Sequence, residues 1–293
     1  MDRTIHYFIT EQEEGMTIWQ HLKCHGYSRH ILTHLKNTEM GICVNQTPVY
    51  LNYQLKKGEA LSVFLKEEPA SPNIIPVFLP LSIVYEDEDL LVVNKPANMP
   101  IHPSMNHHDN TLANAAAYYY GQQKLPFIFR CPNRLDRDTS GLTVLAKNML
   151  SSSILSDMVK SRTLKREYLA IVEGTPDAAG TIDAPIARKE GSAIERIVDF
   201  EHGEPAVTHY TRLKTCKNYS LVSLSLETGR THQIRVHMRH IGHPLPGDFL
   251  YNPDYSIIQR QALHSHSLTF RHPITGEPLH FEAPLPEDML LFT

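Results

Sequence analysis

The chain reads as an α+β protein with a mixed, largely antiparallel central sheet and flanking helices, preceded by a small N-terminal α/β unit. Three observations predict this. Leu90-Leu91-Val92-Val93 and Leu142-Thr143-Val144-Leu145-Ala146 are short apolar runs, the pattern of strands buried on both faces. Val222, Leu224 and Leu226 alternate with Ser223 and Ser225, the period-two signature of a half-buried strand. Helical spacing joins Leu150, Leu155 and Met158, and again Ile234, Met238 and Ile241.

Taken in order, residues 1–68 form a separate unit. Thr17 to Lys23 and Ser28 to Lys36 are compatible with short helices. Ser28 suits an N-cap, and Ile31, Leu32 and Leu35 share one face. Ile42-Cys43-Val44 reads as a strand, with a turn at Asn45-Gln46. Lys57-Gly58-Glu59 is a further turn before the strand Leu61 to Leu65. Residues 69–79 read as a linker, because Pro69, Pro72 and Pro76 remove backbone donors and favour extended chain. Residues 80–293 make the main domain. Within it, Asn148 to Lys160 is a predicted helix and Tyr168 to Val172 a predicted strand. Another helix is predicted after Thr231, which would cap it, and Gly242 with Pro244 would end it. Leu268-Thr269-Phe270 and Leu279-His280-Phe281 flank Pro273-Ile274-Thr275-Gly276, a hairpin signal. The chain has no internal repeat and no low-complexity tract.

Composition narrows the function classes. The 293 residues are 41% hydrophobic and 20% charged, ordinary for a globular protein. No apolar run approaches the roughly 20 residues that span a bilayer, and Met1 to His6 lacks the pattern of a secretory signal. Cys24, Cys43, Cys131 and Cys216 are scattered, without metal spacing or a disulfide framework. A reducing, cytoplasmic setting is expected. The net charge of −4 argues against a basic nucleic-acid coat protein. Positive charge nonetheless clusters at Lys160-Ser161-Arg162, Lys165-Arg166 and Arg230 to Arg239. The second and third clusters are the expected nucleic-acid face.

The densest chemistry lies in Asn133-Arg134-Leu135-Asp136-Arg137-Asp138-Thr139-Ser140-Gly141. A carboxylate held among guanidinium groups stays ionised and can act as nucleophile or base. Alone, the stretch would sooner be read as a surface ion pair. Further blocks follow in order. They are Val93-Asn94-Lys95-Pro96 with Ile101-His102-Pro103, Lys165 to Ala170, Glu227 to Met238, His243-Pro244 leading to Gly247-Asp248, and Ala262 to Leu268 with His272-Pro273. Together they resemble the pseudouridine synthases that act on uridines of large-subunit ribosomal RNA and some transfer RNAs. The likeness spans roughly residues 80 to 290, and Asn133 stands where that family carries histidine. The N-terminal unit more weakly resembles the S4-type RNA-binding domain, through Ser28-Arg29 and Val44-Asn45.

The resemblance implies a cleft across the sheet, with site residues to match. Asp136 is the implied catalytic carboxylate. Tyr168 matches the family's active-site tyrosine, which would stack on the target uracil, and Arg235 matches the basic partner of the aspartate. Arg134 would fill the stack vacated by a flipped base. Arg29, in the S4-like unit, would bind RNA. Arg230 and Arg239 are expected to meet phosphate or solvent. The implied partner is structured RNA, ribosomal first and transfer RNA second, acted on by a monomer without membrane, nucleotide cofactor or other cofactor.

Metal catalysis is not expected. His237, His240 and His243 spread over roughly 600° of helical rotation, and no Cys-x-x-Cys supports a site. Two competing readings stay open. One is a catalytically silent RNA-binding or ribosome-assembly protein. The other is a carboxylate glycosidase or nuclease, for which Asp138 is the one nearby second acid.

Overall fold

The computed structural model describes residues 1–67, 73–105 and 107–290. The N-terminal unit runs β1 (Arg3–Phe8), α1 (Ile18–Cys24), α2 (Arg29–Lys36), β2 (Ile42–Val44), β3 (Thr47–Pro48) and β4 (Ala60–Leu65). Its sheet has the order β1-β4-β2-β3, all antiparallel. Thr17 and Ser28 cap the two helices, accepting from the amides of Gln20 and Ile31. Asn45 and Gln46 both take positive φ, which the tight turn between β2 and β3 requires. β1 was not predicted: only Ile5 of its six residues is buried, so its alternation is faint.

Ile18, Leu22, Ile31, Leu35, Leu61 and Val63 form this unit's own core, which Leu150 from the main domain completes. Ion pairs reinforce the docking. Arg3 grips Asp89, and buried Glu67 accepts from Arg130 at 2.6 Å and from the amide of Met149. The first residues of the 69–79 stretch lie outside the described residues. Its remainder is tied to the main domain, with Asn114 donating to the carbonyl of Ile75 and accepting, through its backbone carbonyl, from the amide of Val77.

The main domain contains β5 (Ile83–Glu86), β6 (Leu90–Lys95), α3 (Leu112–Gln122), β7 (Ser140–Ala146), α4 (Met149–Lys160), β8 (Lys165–Glu173) and β9 (Ala179–Asp183). There follow β10 (Ile186–Arg188), β11 (Arg196–Val198), β12 (Val207–Cys216), β13 (Tyr219–Leu226), α5 (Gln233–His240), β14 (Leu263–Arg271), β15 (Pro278–Glu282) and α6 (Glu287–Leu290). Nine strands form one sheet in the order β5-β6-β7-β14-β8-β13-β12-β9, with β15 beside β14. β6 is a continuous apolar run because both its faces are covered. Leu91 and Val93 enter one core, Leu90 and Val92 the other. The predicted hairpin is β14–β15, and the Asn148–Lys160 helix is α4, capped by Asn148.

One seam of this sheet is parallel. β7 and β14 pair only at Ser140–His264 and Gly141–Ser265, while all other pairs are antiparallel. Gly141 has φ +109°, and a Cβ there would overlap the Ser265 backbone. The close approach at the seam therefore requires glycine. The loop carrying Asp136 enters β7 at this point.

Candidate active site

The Asp136 loop is held from three directions. Asn133 is buried, and its side-chain oxygen accepts from the amide of Val144 at 2.9 Å and the hydroxyl of Thr143 at 3.1 Å. That pins the loop's start to β7. Lys95, almost fully buried, donates to the carbonyls of Pro96, Met99 and Arg137. Burial lowers the Lys95 pKa to about 7, against the pull of Asp138 and Asp136. Gln261 donates to Thr139, and Ser140 meets Nδ1 of His264 at 2.9 Å, fixing the loop's end.

Asp136 projects toward α5. Nη1 of Arg235 donates to its Oδ2 at 2.9 Å, and Nε2 of His232 lies 3.9 Å from the same oxygen. Arg235 is 1% exposed. Its remaining edge makes a bidentate pair with Asp248, at 2.6 and 2.7 Å. The guanidinium also lies 5.4 Å from the Phe249 ring and 5.0 Å from the Tyr251 ring. Burial alone would lower the Arg235 pKa, but Asp248 and Asp136 outweigh it and the net shift is upward. Asp248 is held in turn by the amides of Leu250 and Tyr251. The buried Arg235 and Asp248 are thus paired with each other, as their desolvation demands.

α5 begins differently from expectation. Its N-cap is His232, in the left-handed conformation at φ 60°, and Thr231 does not cap it. The physical reason is Gln233. Its side-chain oxygen accepts from the amide of Arg230 and the hydroxyl of Thr228, closing the preceding turn from inside the helix. The turn aims His232 at Asp136 and carries Gly229, Arg230 and Thr231 to the cleft wall.

Tyr168 on β8 sits one strand beyond β14, in register with Ser265. Burial raises its phenol pKa, so the ring is neutral and its bulk faces the core. A small cavity of about 70 Å³ is lined by Asp136, Tyr168, Ile234, Arg235, Leu226 and Leu263. It adjoins an open groove of about 720 Å³, which shares Arg134, Asp136 and Arg166 with it. The groove's rim carries Arg134, Lys160, Arg162, Arg166 and Arg230. The Lys160–Arg162 cluster, left out of the expected nucleic-acid face, therefore lines the groove, because α4 ends there. Arg134 is exposed and makes no hydrogen bond or ion pair among the described residues. Arg239 instead turns outward toward Glu195 and Tyr251. Arg29 is exposed at the start of α2 and lines neither cavity.

Of the three histidines weighed as metal ligands, His237 and His243 are committed to hydrogen bonds, while His240 is exposed beside Phe200. His237 meets Thr208 and the carbonyl of Ala184, His243 the carbonyl of Glu173, and His266 the carbonyl of Ala283. Sequence reasoning missed the roles of Lys95 and Asp248, although both stand in the blocks quoted above. A lysine before a proline, and an aspartate after a glycine, carry no local mark of burial.

A carboxylate beside a buried arginine, at the mouth of a small pocket in a basic groove, suits an enzyme acting on a polyanion. The RNA pseudouridylate synthase family matches residues 89–240. A Bacillus subtilis (strain 168) protein described as an uncharacterized RNA pseudouridine synthase, YjbO, is 43% identical over 277 residues, covering 94% of this chain and 97% of its own. Ribosomal large subunit pseudouridine synthase D of Zymomonas mobilis is 44% identical over 236 residues, 74% of this chain and 73% of its own. Among solved structures, human RNA pseudouridylate synthase domain containing 1 superposes with a TM-score of 0.58 at 30% identity, covering 74% of this chain and 86% of that one. The chain belongs to the RNA pseudouridine synthase family. It is an isomerase, and its fold is the mixed α+β fold of these enzymes. No described helix is long and apolar enough to cross a membrane.

Proposed function

We propose that this enzyme converts specific uridines of large-subunit ribosomal RNA to pseudouridine, with Asp136 as the catalytic carboxylate. The observation that carries the reading is the 2.9 Å contact between Arg235 and Asp136 at the mouth of the Tyr168 pocket. The ribosomal substrate is taken from relatives named ribosomal large subunit pseudouridine synthase D. Transfer RNA is the alternative.

The reaction breaks the bond from the ribose anomeric carbon to a base nitrogen and remakes it to a base carbon. The base nitrogen gains a proton and the base carbon loses one, so atoms balance without redox change. The chemistry needs one ionised carboxylate near the sugar, a slot in which the freed base can turn, and little water. Arg235 holds and aims Asp136. Leu226, Ile234 and Leu263 supply apolar walls, and Tyr168 supplies a ring for the uracil. A paired uridine must first leave its helix, and the free guanidinium of Arg134 fills the gap. The rim arginines and Lys160 hold phosphates.

Residues 1–68 act, in this reading, as an S4-like RNA-binding unit joined through residues 69–79 to the catalytic residues 80–293. Arg29 contacts RNA outside the cleft. Arg29→Ala should then weaken RNA binding while leaving turnover of bound RNA unchanged, and unaltered affinity would remove Arg29 from the interface. The main test is a pseudouridine map of a strain lacking the gene, re-supplied with wild type or Asp136→Ala. Sites lost in the deletion and restored only by wild type are the expected outcome. Restoration by Asp136→Ala would discard the catalytic assignment.

A further inference from the structure

The N-terminal unit holds a second cluster of chemically capable side chains, remote in sequence from the Asp136 loop. His21 and His25 stand four residues apart on α1 and its C-cap, so they share one helical face. Glu13 reaches them from the turn Glu11–Glu13. One ligand-capable atom from each of the three lies within 4.8 Å of the others. His21 is 1% exposed, yet both its ring nitrogens lack a hydrogen-bond partner among the described residues. An unsatisfied buried imidazole is costly unless something else engages it.

The surrounding contacts leave a potential ligand atom open on each group. Nδ1 of His25 meets the carbonyl of His21 at 2.8 Å, which leaves its Nε2 lone pair free. A metal-bound histidine characteristically donates its other ring nitrogen in this way. Oε2 of Glu13 accepts from the amide and hydroxyl of Thr10, at 2.9 and 2.7 Å, which leaves Oε1 free. That oxygen lies 3.1 Å from Nδ1 of His21 without hydrogen-bond geometry. Neighbouring ligands on a tetrahedral zinc stand about 3.3 Å apart, given bonds of about 2.0–2.2 Å. Tyr7 packs edge-on against both imidazoles, with centroids at 5.0 and 4.7 Å.

We propose that Glu13, His21 and His25 form a structural site for a divalent transition metal of the zinc class. The ion would tie the Glu11–Glu13 turn to the end of α1. Two nitrogens and one carboxylate oxygen suit zinc better than magnesium or calcium, which prefer all-oxygen sites. The site stands apart from the isomerisation, which needs no metal.

The test is titration of the full-length, chelator-stripped protein with ZnCl2 by calorimetry, with CoCl2 absorption in parallel. The expected result is one saturable equivalent and a visible cobalt band of four-coordinate intensity. His25→Ala and Glu13→Gln should each weaken zinc at least tenfold. His34→Ala, which disrupts the His30–His34 pair at the same spacing on α2, should leave it unchanged. Circular dichroism checks that each variant folds, and Glu13→Gln carries the test should His25→Ala unfold. Absence of one-to-one binding, unchanged affinity in the Glu13 and His25 variants, or loss in His34→Ala would each overturn the site.

Discussion

The floor of the cleft and its rim use the same residue type in opposite ways. On the floor, Arg235 is buried and saturated, with two carboxylates and two aromatic rings around one guanidinium. On the rim, Arg134 is exposed and unpaired among the described residues. A buried charge must be satisfied within the fold, so Arg235 has nothing left to offer a ligand except the orientation of Asp136. An exposed charge loses little by staying unpaired and remains available to phosphate or an opened stack. The floor should therefore answer to mutation and acid, and the rim to RNA structure and salt.

The largest effect expected is on the floor. Arg235→Ala leaves Asp248 buried without its partner, which should cost about 3–5 kcal/mol of stability. Chemical denaturation measures this. Arg235→Lys should recover only part, because an ammonium cannot span both oxygens of Asp248 while also reaching Asp136. A loss below about 1 kcal/mol in Arg235→Ala, small even for an ordinary core substitution, would break the contrast between floor and rim.

Acid should act next, at the parallel seam that anchors the Asp136 loop. His264 is buried against Ser140 at the parallel seam, and burial lowers its pKa from 6.5 to about 4. As pH falls from 6.5, the unfolded chain takes up this proton before the folded one does. Stability from this group is complete above about 6.5 and is lost progressively down to about 4, by up to roughly 3 kcal/mol. Thermal unfolding across that range should show the slope, and His264→Gln should flatten it. An unchanged slope in the variant would place the acid sensitivity elsewhere among the 18 histidines.

How much of this was legible follows the same physics. β6, β7, α4 and the β14–β15 hairpin announced themselves because burial writes apolar runs, helical spacing or turn residues into the chain. α3 did not, since Leu-Ala-Asn-Ala-Ala-Ala-Tyr-Tyr-Tyr shows no distinct polar face when nearly all of it is covered. The part-exposed strands β9 to β11 leave equally little pattern. At the site, Asp136, Tyr168 and Arg235 were marked by resemblance. Lys95 and Asp248 act through contacts 42 and 13 residues away, to Arg137 and Arg235, which no local pattern encodes. The start of α5 was misread at Thr231 because the competing acceptor, Gln233, lies inside the helix.

On the rim, Arg134→Ala should depend on the substrate. If its side chain replaces a flipped base, the loss is the worth of a stacking contact, about 1–3 kcal/mol. Turnover on folded RNA should fall roughly 5- to 150-fold, and turnover on an unpaired uridine should fall much less. Equal losses on both substrates would assign Arg134 to phosphate instead.

The smallest effect separates two rim cations from each other. Arg162 already pairs with Glu227 at 2.9 Å, whereas Lys160 has no partner among the described residues. Each phosphate contact that a cation makes adds about 0.7–0.9 to the slope of log affinity against log salt. Lys160→Ala should therefore reduce the slope by nearly one contact. Arg162→Ala should reduce it less, because its charge must first be drawn from Glu227. The carboxylate left behind, still held by His209, repels RNA most at low salt. The two variants can thus lose similar affinity at low salt and still differ in slope. Identical slopes would mean that the Arg162–Glu227 pair opens when RNA binds, and that the rim is set by its ligand rather than by the fold.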